Sequence, residues 1–203
     1  NFDLKILISS FIKIPKHIYY TLPNKNLLNM EETKKTLTNI PGYINHFYDD
    51  KECLKFIEKH FSYDIYICYC QLIPGAFKAD FWRLCILYIN GGIYIDLGMK
   101  IIEDLDQIVE YNELVLVKDR GIYGIFNAFI CSVPKHPFIK LCLDKLCYKI
   151  KQFDYGNHPL GFSGPIFIKE IYDKWKYKQK IHFYYHNENG NNIKSIENIN
   201  IIT

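Results

Sequence analysis

Two opposite charges, Asp80 and Arg83, sit three residues apart inside the nearly all-apolar run AFKADFWRLCILYI, and a third, Asp96, closes the apolar stretch that follows. Charge in such company is costly unless it is paired or used. A carboxylate and a guanidinium on one face can meet a polar ligand, and the guanidinium does so with a forked pair of N–H groups that an ammonium cannot imitate. Arginine occurs only twice, at Arg83 and Arg120, in a chain that otherwise relies on lysine. One of its two guanidinium groups therefore stands in its most hydrophobic part.

The elements that must position these charges can be read around them. Residues 76–89 form too long a run for one strand and hold no internal Gly or Pro, which predicts a helix. It is apolar nearly all round, so it is expected to be buried. Asp80 and Arg83 at i, i+3 share one helical face. Gly91-Gly92 stops the helix, because glycine takes the left-handed cap without penalty. The period then changes to two: Ile93, Ile95 and Leu97 point one way, Tyr94, Asp96 and Gly98 the other. In open α/β sheets ligands bind beyond the carboxyl ends of strands, which is where Asp96 stands. A blander reading remains beside this one, with Asp80–Arg83 a bracing ion pair and Asp96 a turn residue.

Elsewhere, 17–22 reads as an opening strand, 31–38 as a short helix and 43–48 as a second strand. A helix follows at 51–60, capped by Asp49 or Asp50. Residues 63–73 fit strand or helix. Strands are expected at 113–117 and 125–131, helices at 136–151 and 165–175, and a late strand at 181–186. The Asn-rich tail from about 187 is expected to be partly disordered, with an edge strand at 199–202. Alternating strands and helices imply an α/β domain spanning 1–203, with a mostly parallel central sheet flanked by helices. Neither G-x-G-x-x-G nor G-x-x-x-x-G-K-[ST] occurs, against dinucleotide oxidoreductases and P-loop enzymes.

The 203 residues, 49% hydrophobic and 16% aromatic, suffice for one sizeable core. A net charge of +3 with scattered lysines argues against a nucleic-acid partner. The seven cysteines show no zinc spacing, their number is odd, and Cys85, Cys131, Cys142 and Cys147 lie in apolar surroundings. A reducing compartment, cytoplasmic rather than Golgi lumen, is the expectation. No transmembrane segment is expected, since no run approaches ~20 apolar residues. Heavy use of Ile, Asn, Lys and Tyr matches an AT-rich coding sequence, as in a large DNA virus or a protist.

The block Lys78-Ala79-Asp80-Phe81-Trp82-Arg83, followed by Gly91-Gly92-Ile93-Tyr94-Ile95-Asp96-Leu97-Gly98, resembles the sugar-binding segment of glycosyltransferases with an Asp-x-Asp motif. That family includes fungal Golgi initiation mannosyltransferases, inositol-phosphoceramide mannosyltransferases and, more distantly, glucosylating bacterial toxins. Weaker echoes run in the same order along the chain: Ile14-Pro15-Lys16, Ile40-Pro41-Gly42-Tyr43 with Asp49-Asp50 and Cys53, Asn127-Ala128-Phe129 with Pro134-Lys135-His136-Pro137-Phe138, and Ser163-Gly164-Pro165. The second Asp of the motif is Gly98 here, and the aromatic residue at the end of the first strand is replaced by Leu22.

The resemblance implies a GT-A-like fold and transfer of a hexose from a UDP- or GDP-linked sugar to an acceptor hydroxyl of a glycan, lipid or protein, with retained anomeric configuration. It implies that Asp80 and Arg83 hold the donor sugar, that Tyr94 packs near the ribose, and that Asp96 meets the ribose or a divalent metal, Mn or else Mg. Thr21 and Leu22 border the nucleotide, with Tyr19 and Tyr20 as stacking partners. Asn127 faces the sugar or is a turn amide. Ser163 and Gly164 start a helix that receives phosphate oxygens or is simply capped. Glu103, Asp104 and Asp106 are the carboxylates that could replace the missing motif Asp, unless the metal is held weakly or the site works without one. His158, His182 and His186 are candidate late metal or acceptor contacts or else plain exposed side chains. The alternative is a degenerate member that binds without turnover.

Overall fold

Short apolar runs with a two-residue period decide the architecture. The computed structural model describes residues 13–29, 40–97, 99, 101, 104–110, 112–119 and 124–177, with the backbone of 181–186 and 193–195. Its strands are β1 (His17–Thr21), β2 (Ile44–Tyr48), β3 (Gly92–Ile95), β4 (Leu114–Lys118), β5 (Ile125–Ser132), β6 (Ile181–His186) and β7 (Ile193–Ser195). They form one sheet in the order β2-β1-β3-β5-β4-β6-β7. β1, β2, β3, β4 and β6 run in one direction, and β5 and β7 are reversed. The α/β class and the prevailing parallel direction thus match the expectation, and the sheet as a whole is mixed. The reversal of β5 follows from chain length: the few residues between β4 and β5 allow a hairpin, whereas a parallel return needs a crossover of a dozen or more.

The helices are α1 (Asp50–His60), α2 (Tyr63–Cys70), α3 (Gly75–Asn90), α4 (Leu105–Val109), α5 (Pro137–Lys151), α6 (Pro159–Phe162) and α7 (Pro165–Lys174). The ambiguous segment 63–73 is therefore mainly helix, and Asp49 is the cap of α1. Asp49 accepts the Glu52 amide at 3.0 Å while Glu52 accepts the Asp49 amide at 3.1 Å, a reciprocal arrangement that satisfies two donors at once. The helix expected at 31–38, the strand at 199–202 and the state of most of the tail lie outside the described residues. The edge strand β7 was not anticipated.

The pleat divides the core. Tyr19, Tyr94, Leu116 and Ile130 face α1, α2, α3, α5 and α7 in one apolar cluster. Ile18, Ile93, Val115 and Phe129 face the opposite side, where Leu105, Ile108 and Val109 of α4 cover them. α3 lies at the centre of the first layer, with Phe81, Trp82, Cys85, Ile86 and Leu87 essentially inaccessible. Burying each large side chain contributes roughly 1.5–3 kcal/mol, so α3 is anchored along its length.

The turn from α3 into β3 admits only glycine. Gly91 has φ 64° and Gly92 φ 96°, and a Cβ would meet the Pro134 amide nitrogen at 2.6 Å in the first case and the His17 carbonyl at 2.8 Å in the second. The glycine pair is thus a packing requirement that sets where β3, and Asp96 beyond it, can lie.

Candidate functional site

Strand register assembles the mouth of the sheet. β1 and β3 are parallel with Tyr19 opposite Tyr94, which puts Thr21 level with Asp96. β5 runs antiparallel to β3 with Phe129 opposite Ile95, and the Asp96 amide donates to the Ala128 carbonyl at 2.9 Å. Asn127 therefore lies beside Asp96 although 31 positions separate them in sequence. α3 comes in over these strand ends and delivers Asp80 and Arg83.

The four residues form one hydrogen-bonded group. Arg83 Nη2 lies 3.1 Å from Asp80 and 3.3 Å from Asp96. Its Nη1 donates to the Asn127 carbonyl and its Nε to the Ala79 carbonyl. Asn127 Nδ2 donates to Asp80 Oδ1 at 2.8 Å, and Ser163 Oγ donates to Asp80 Oδ2 at 2.7 Å. The Tyr94 hydroxyl donates to Asp96 Oδ1 at 2.6 Å and lies 3.1 Å from Thr21 Oγ1. Because a carboxylate only accepts, the Tyr94 proton goes to Asp96 and Thr21 donates to the phenol oxygen. The guanidinium also covers the Tyr94 ring, 4.4 Å from its centroid.

Burial sorts these groups into two kinds. The Arg83 side chain is 5% exposed, and that of Asp96 is 42% exposed. Arg83 faces inward, with each of its nitrogens engaged by protein, and it orients the two carboxylates. The ligand-facing groups are Asp96 and the edge of Asp80. This differs from the expectation that Arg83 itself grips the ligand. Tyr94, buried with its ring under the guanidinium, is not open to a ribose and reaches the mouth only through Asp96. Burial raises the Asp80 carboxyl above its ordinary value, against the pull of Arg83, Ser163 and Asn127. Burial works against the Arg83 charge, but Tyr94, Asp96 and Asp80 outweigh it and hold the guanidinium firmly protonated. Burial, reinforced by Asp96, raises the Tyr94 phenol and keeps it a donor.

A cleft of about 310 Å³ adjoins the group between the end of β1 and the first turns of α1 and α3, lined by Thr21, Leu22, Asp50, Lys78, Ala79 and Trp82 among others. Its size suits part of a small ligand. Thr21 and Leu22 thus border a cavity, and Thr21 also joins the Tyr94–Asp96 chain. Asp50 and Lys78 were not singled out from the sequence. Only Lys78's place beside Asp80 hinted at it, and nothing in the linear order links α1 to α3.

Other expected members lie elsewhere. Tyr19 and Tyr20 are core residues, 3% and 2% exposed, on opposite faces of the sheet, so neither can stack on a ligand. Ser163 and Gly164 are buried, the Ser163 hydroxyl is bound to Asp80, and α7 opens with Pro165, which has no N–H. Its start therefore offers fewer donors than an ordinary helix N-terminus. His158 caps α6 through the Leu160 amide. The side chains of His182 and His186 lie outside the described residues, as do Gly98, Glu103 and Arg120.

The replacement carboxylates are not at the mouth. Asp104 caps α4. Asp106 pairs with Lys16 at 2.7 Å and accepts from Tyr43 at 2.7 Å. Lys16 precedes β1, about 16 Å down the strand from Thr21 at ~3.3 Å per residue. Among the described residues no cluster of three or more His, Cys, Asp or Glu could hold a metal. Asp96 offers an accessible carboxylate beside Arg83, and Asp50 lines the neighbouring cleft. One carboxylate does not cage a cation, but it fits one whose remaining ligands are water and substrate phosphate.

Residues 9–115 match the family described as a glycosyltransferase sugar-binding region containing a DXD motif. A mannosyl phosphorylinositol ceramide synthase of Saccharomyces cerevisiae is 28% identical over 172 residues, 80% of this chain and 43% of that protein. An uncharacterized glycosyltransferase of Acanthamoeba polyphaga mimivirus is 32% identical over 104 residues, 47% of this chain and 39% of the relative. The chain thus spans less than half the length of these relatives. The solved structure of the PaToxG glycosyltransferase superposes with a TM-score of 0.57 at 18% identity, covering 85% of this chain and 74% of that one, which is a likeness of fold.

Proposed function

The chain belongs to the glycosyltransferase family whose sugar-binding region contains the DXD motif, and from that premise we propose that it moves a hexose from a UDP- or GDP-linked donor to an acceptor hydroxyl with retained configuration. One observation carries the reading. Asp80, Arg83, Asp96 and Asn127, from a helix and two strands, converge beside a cleft at the carboxyl ends of the strands. Such convergence is what orients a ligand in an open α/β sheet.

In this reading the Asp80 carboxylate accepts from donor-sugar hydroxyls, and Asp96 faces the ribose and diphosphate. Arg83 sets both carboxylates without touching the sugar, and Asn127 and Ser163 fix the Asp80 rotamer. Thr21 and Leu22 border the nucleotide in the cleft. A divalent cation, Mn or Mg, would be held by Asp96 together with the donor diphosphate and would supply charge for the departing phosphate. The retaining chemistry requires no dedicated base. The odd number of cysteines, without zinc spacing, suits a reducing, cytoplasmic setting for the activity.

Gly98 in place of the motif's second Asp favours a second reading in which the site binds a nucleotide-sugar without turnover. Calorimetry with GDP-mannose and UDP-glucose, with and without manganese, paired with a donor-hydrolysis assay, separates the two. Binding with hydrolysis supports the transferase. Binding alone supports the second reading, and no binding to either donor removes both.

A further inference from the structure

The helix α5 ends in an unusual way. The Phe153 amide donates to the Ile150 carbonyl at 3.0 Å and the Asp154 amide to the Lys149 carbonyl at 2.9 Å, the double closure that normally places glycine at the left-handed position. Here that position is Phe153, with φ 53°, and its ring gains no burial in return, since the residue is 72% exposed. Tyr155 follows at 39% exposed. The whole run Gln152-Phe153-Asp154-Tyr155-Gly156-Asn157-His158 is exposed, and it interleaves rings with polar side chains.

This loop is continuous with the site described above. The Tyr155 ring packs on Phe162 at 4.9 Å, and Phe162 packs on Phe77 at 4.8 Å. Phe162 precedes Ser163, which holds Asp80, and Phe77 lies one turn before Asp80 on α3. Lys149 ties the end of α5 to α6 through the Gly161 carbonyl at 3.2 Å. Tyr155 is therefore linked to Asp80 through two ring contacts and one helical turn.

We propose that residues 152–158 form a saccharide-acceptor platform, on which Phe153 and Tyr155 take the apolar C–H face of a pyranose while Asp154 and Asn157 take its hydroxyls. It names the acceptor of the transfer proposed above and rests on that reading. A sugar ring presents an apolar face and a polar rim together, and the loop offers partners for both. A bilayer fits less well. Asp154, with a side chain 58% exposed, lies between Phe153 and Tyr155 in the sequence, and immersing a carboxylate in apolar surroundings is costly. Two nearby lysines are paired, Lys149 with Asp154 at 3.9 Å and Lys151 with Asp64 at 2.6 Å, which lessens their pull on anionic headgroups.

The test is an NMR titration of the ¹⁵N-labelled chain with α-mannotriose and with lactose, repeated on Phe153→Gly and Tyr155→Ser. Shifts confined to 153–157 that vanish in the variants are expected. The thermal midpoint of Phe153→Gly should hold or rise, because glycine suits that backbone, so a loss of binding is not a loss of fold. In transfer assays the KM for a saccharide acceptor should rise about tenfold with kcat little changed, the scale of one lost aromatic contact. A silent loop with both sugars, while GDP- or UDP-sugars still bind, overturns the platform and leaves the transferase reading intact. So does capture by phosphatidylcholine–phosphatidylinositol vesicles that Phe153→Gly abolishes. Sugar binding at the loop without any donor binding removes the transferase reading and with it the acceptor role, leaving only a saccharide-binding loop.

Discussion

The two ends of the sheet carry nearly the same constellation. At the carboxyl end Arg83 pairs with Asp96, Tyr94 donates to Asp96 at 2.6 Å, and the guanidinium covers the tyrosine ring at 4.4 Å. At the amino end Lys16 pairs with Asp106, Tyr43 donates to Asp106 at 2.7 Å, and the lysine lies over the tyrosine ring at 5.3 Å. The contacts are alike, a cation, a carboxylate and a tyrosine in each, but the cation is an arginine at one end and a lysine at the other, and burial differs. Lys16 and Asp106 are 50% and 52% exposed; Asp96 is still 42% exposed, but Arg83 is only 5% and its second partner, Asp80, 12%. Exposed ion pairs contribute little, because water solvates each charge almost as well. A buried charge depends on its partners, so the amino-end cluster is a surface brace and the carboxyl-end cluster is pre-organised.

Removing each cation breaks the comparison most sharply. Arg83→Met leaves Asp80 buried without its counter-charge and should cost about 3–5 kcal/mol of stability in urea unfolding, together with donor binding. Lys16→Met should leave both unchanged within error. If the two variants unfold alike, burial is not what separates the ends. Arg83→Lys keeps the charge but not the fork, and should cost ~1–3 kcal/mol of donor affinity in calorimetry.

The tyrosines sharpen it. Tyr94→Phe takes a buried donor from Asp96 and should weaken donor binding by ~1.5–3 kcal/mol, as for a hydrogen bond to a charged group. Tyr43→Phe should not alter donor binding at all. Equal loss from both would place the ligand elsewhere.

The smallest effect is in pH, and its sign differs between the ends. Burial raises Asp80 above the ordinary carboxylate value of 3.8, so its proton is bound more tightly in the folded chain. Its stabilising contribution is present below 3.8 and is lost as pH rises toward its own higher value. Lys16 first, then Tyr43, hold Asp106 below 3.8, so its contribution is present above that value and is lost as pH falls. Thermal midpoints against pH should therefore lose a decline in Asp80→Asn and a rise in Asp106→Asn. Curves that change in the same direction would show that the two carboxylates share one environment.

Much of the site is legible in the linear order because it depends on local geometry. The i, i+3 spacing puts Asp80 and Arg83 on one face, the glycine pair ends α3, and the two-residue period puts Asp96 on the side of Tyr94. Asn127 and Ser163 were legible only as members of a familiar order. Their sequence surroundings fit a plain turn and a plain cap, and only the β3–β5 register and the start of α7 bring them to Asp80. Tyr19 and Tyr20 fit a ligand-stacking role by type, yet the pleat sends one to each core. Asp104 and Asp106 are near Asp96 in sequence, but the chain carries them to the far end of β1.

By itself the amino-acid order determined the α/β class, the buried helix, the glycine hinge and the identity of the charged trio, because each follows from contacts within a few residues. Only the tertiary structure decided that Arg83 turns inward while Asp96 turns out, and that Lys16 and Asp106 repeat the motif harmlessly at the opposite edge. Solvent access depends on what packs over a side chain from distant parts of the chain, and access determines whether a cation, a carboxylate and a tyrosine brace a surface or prepare a site.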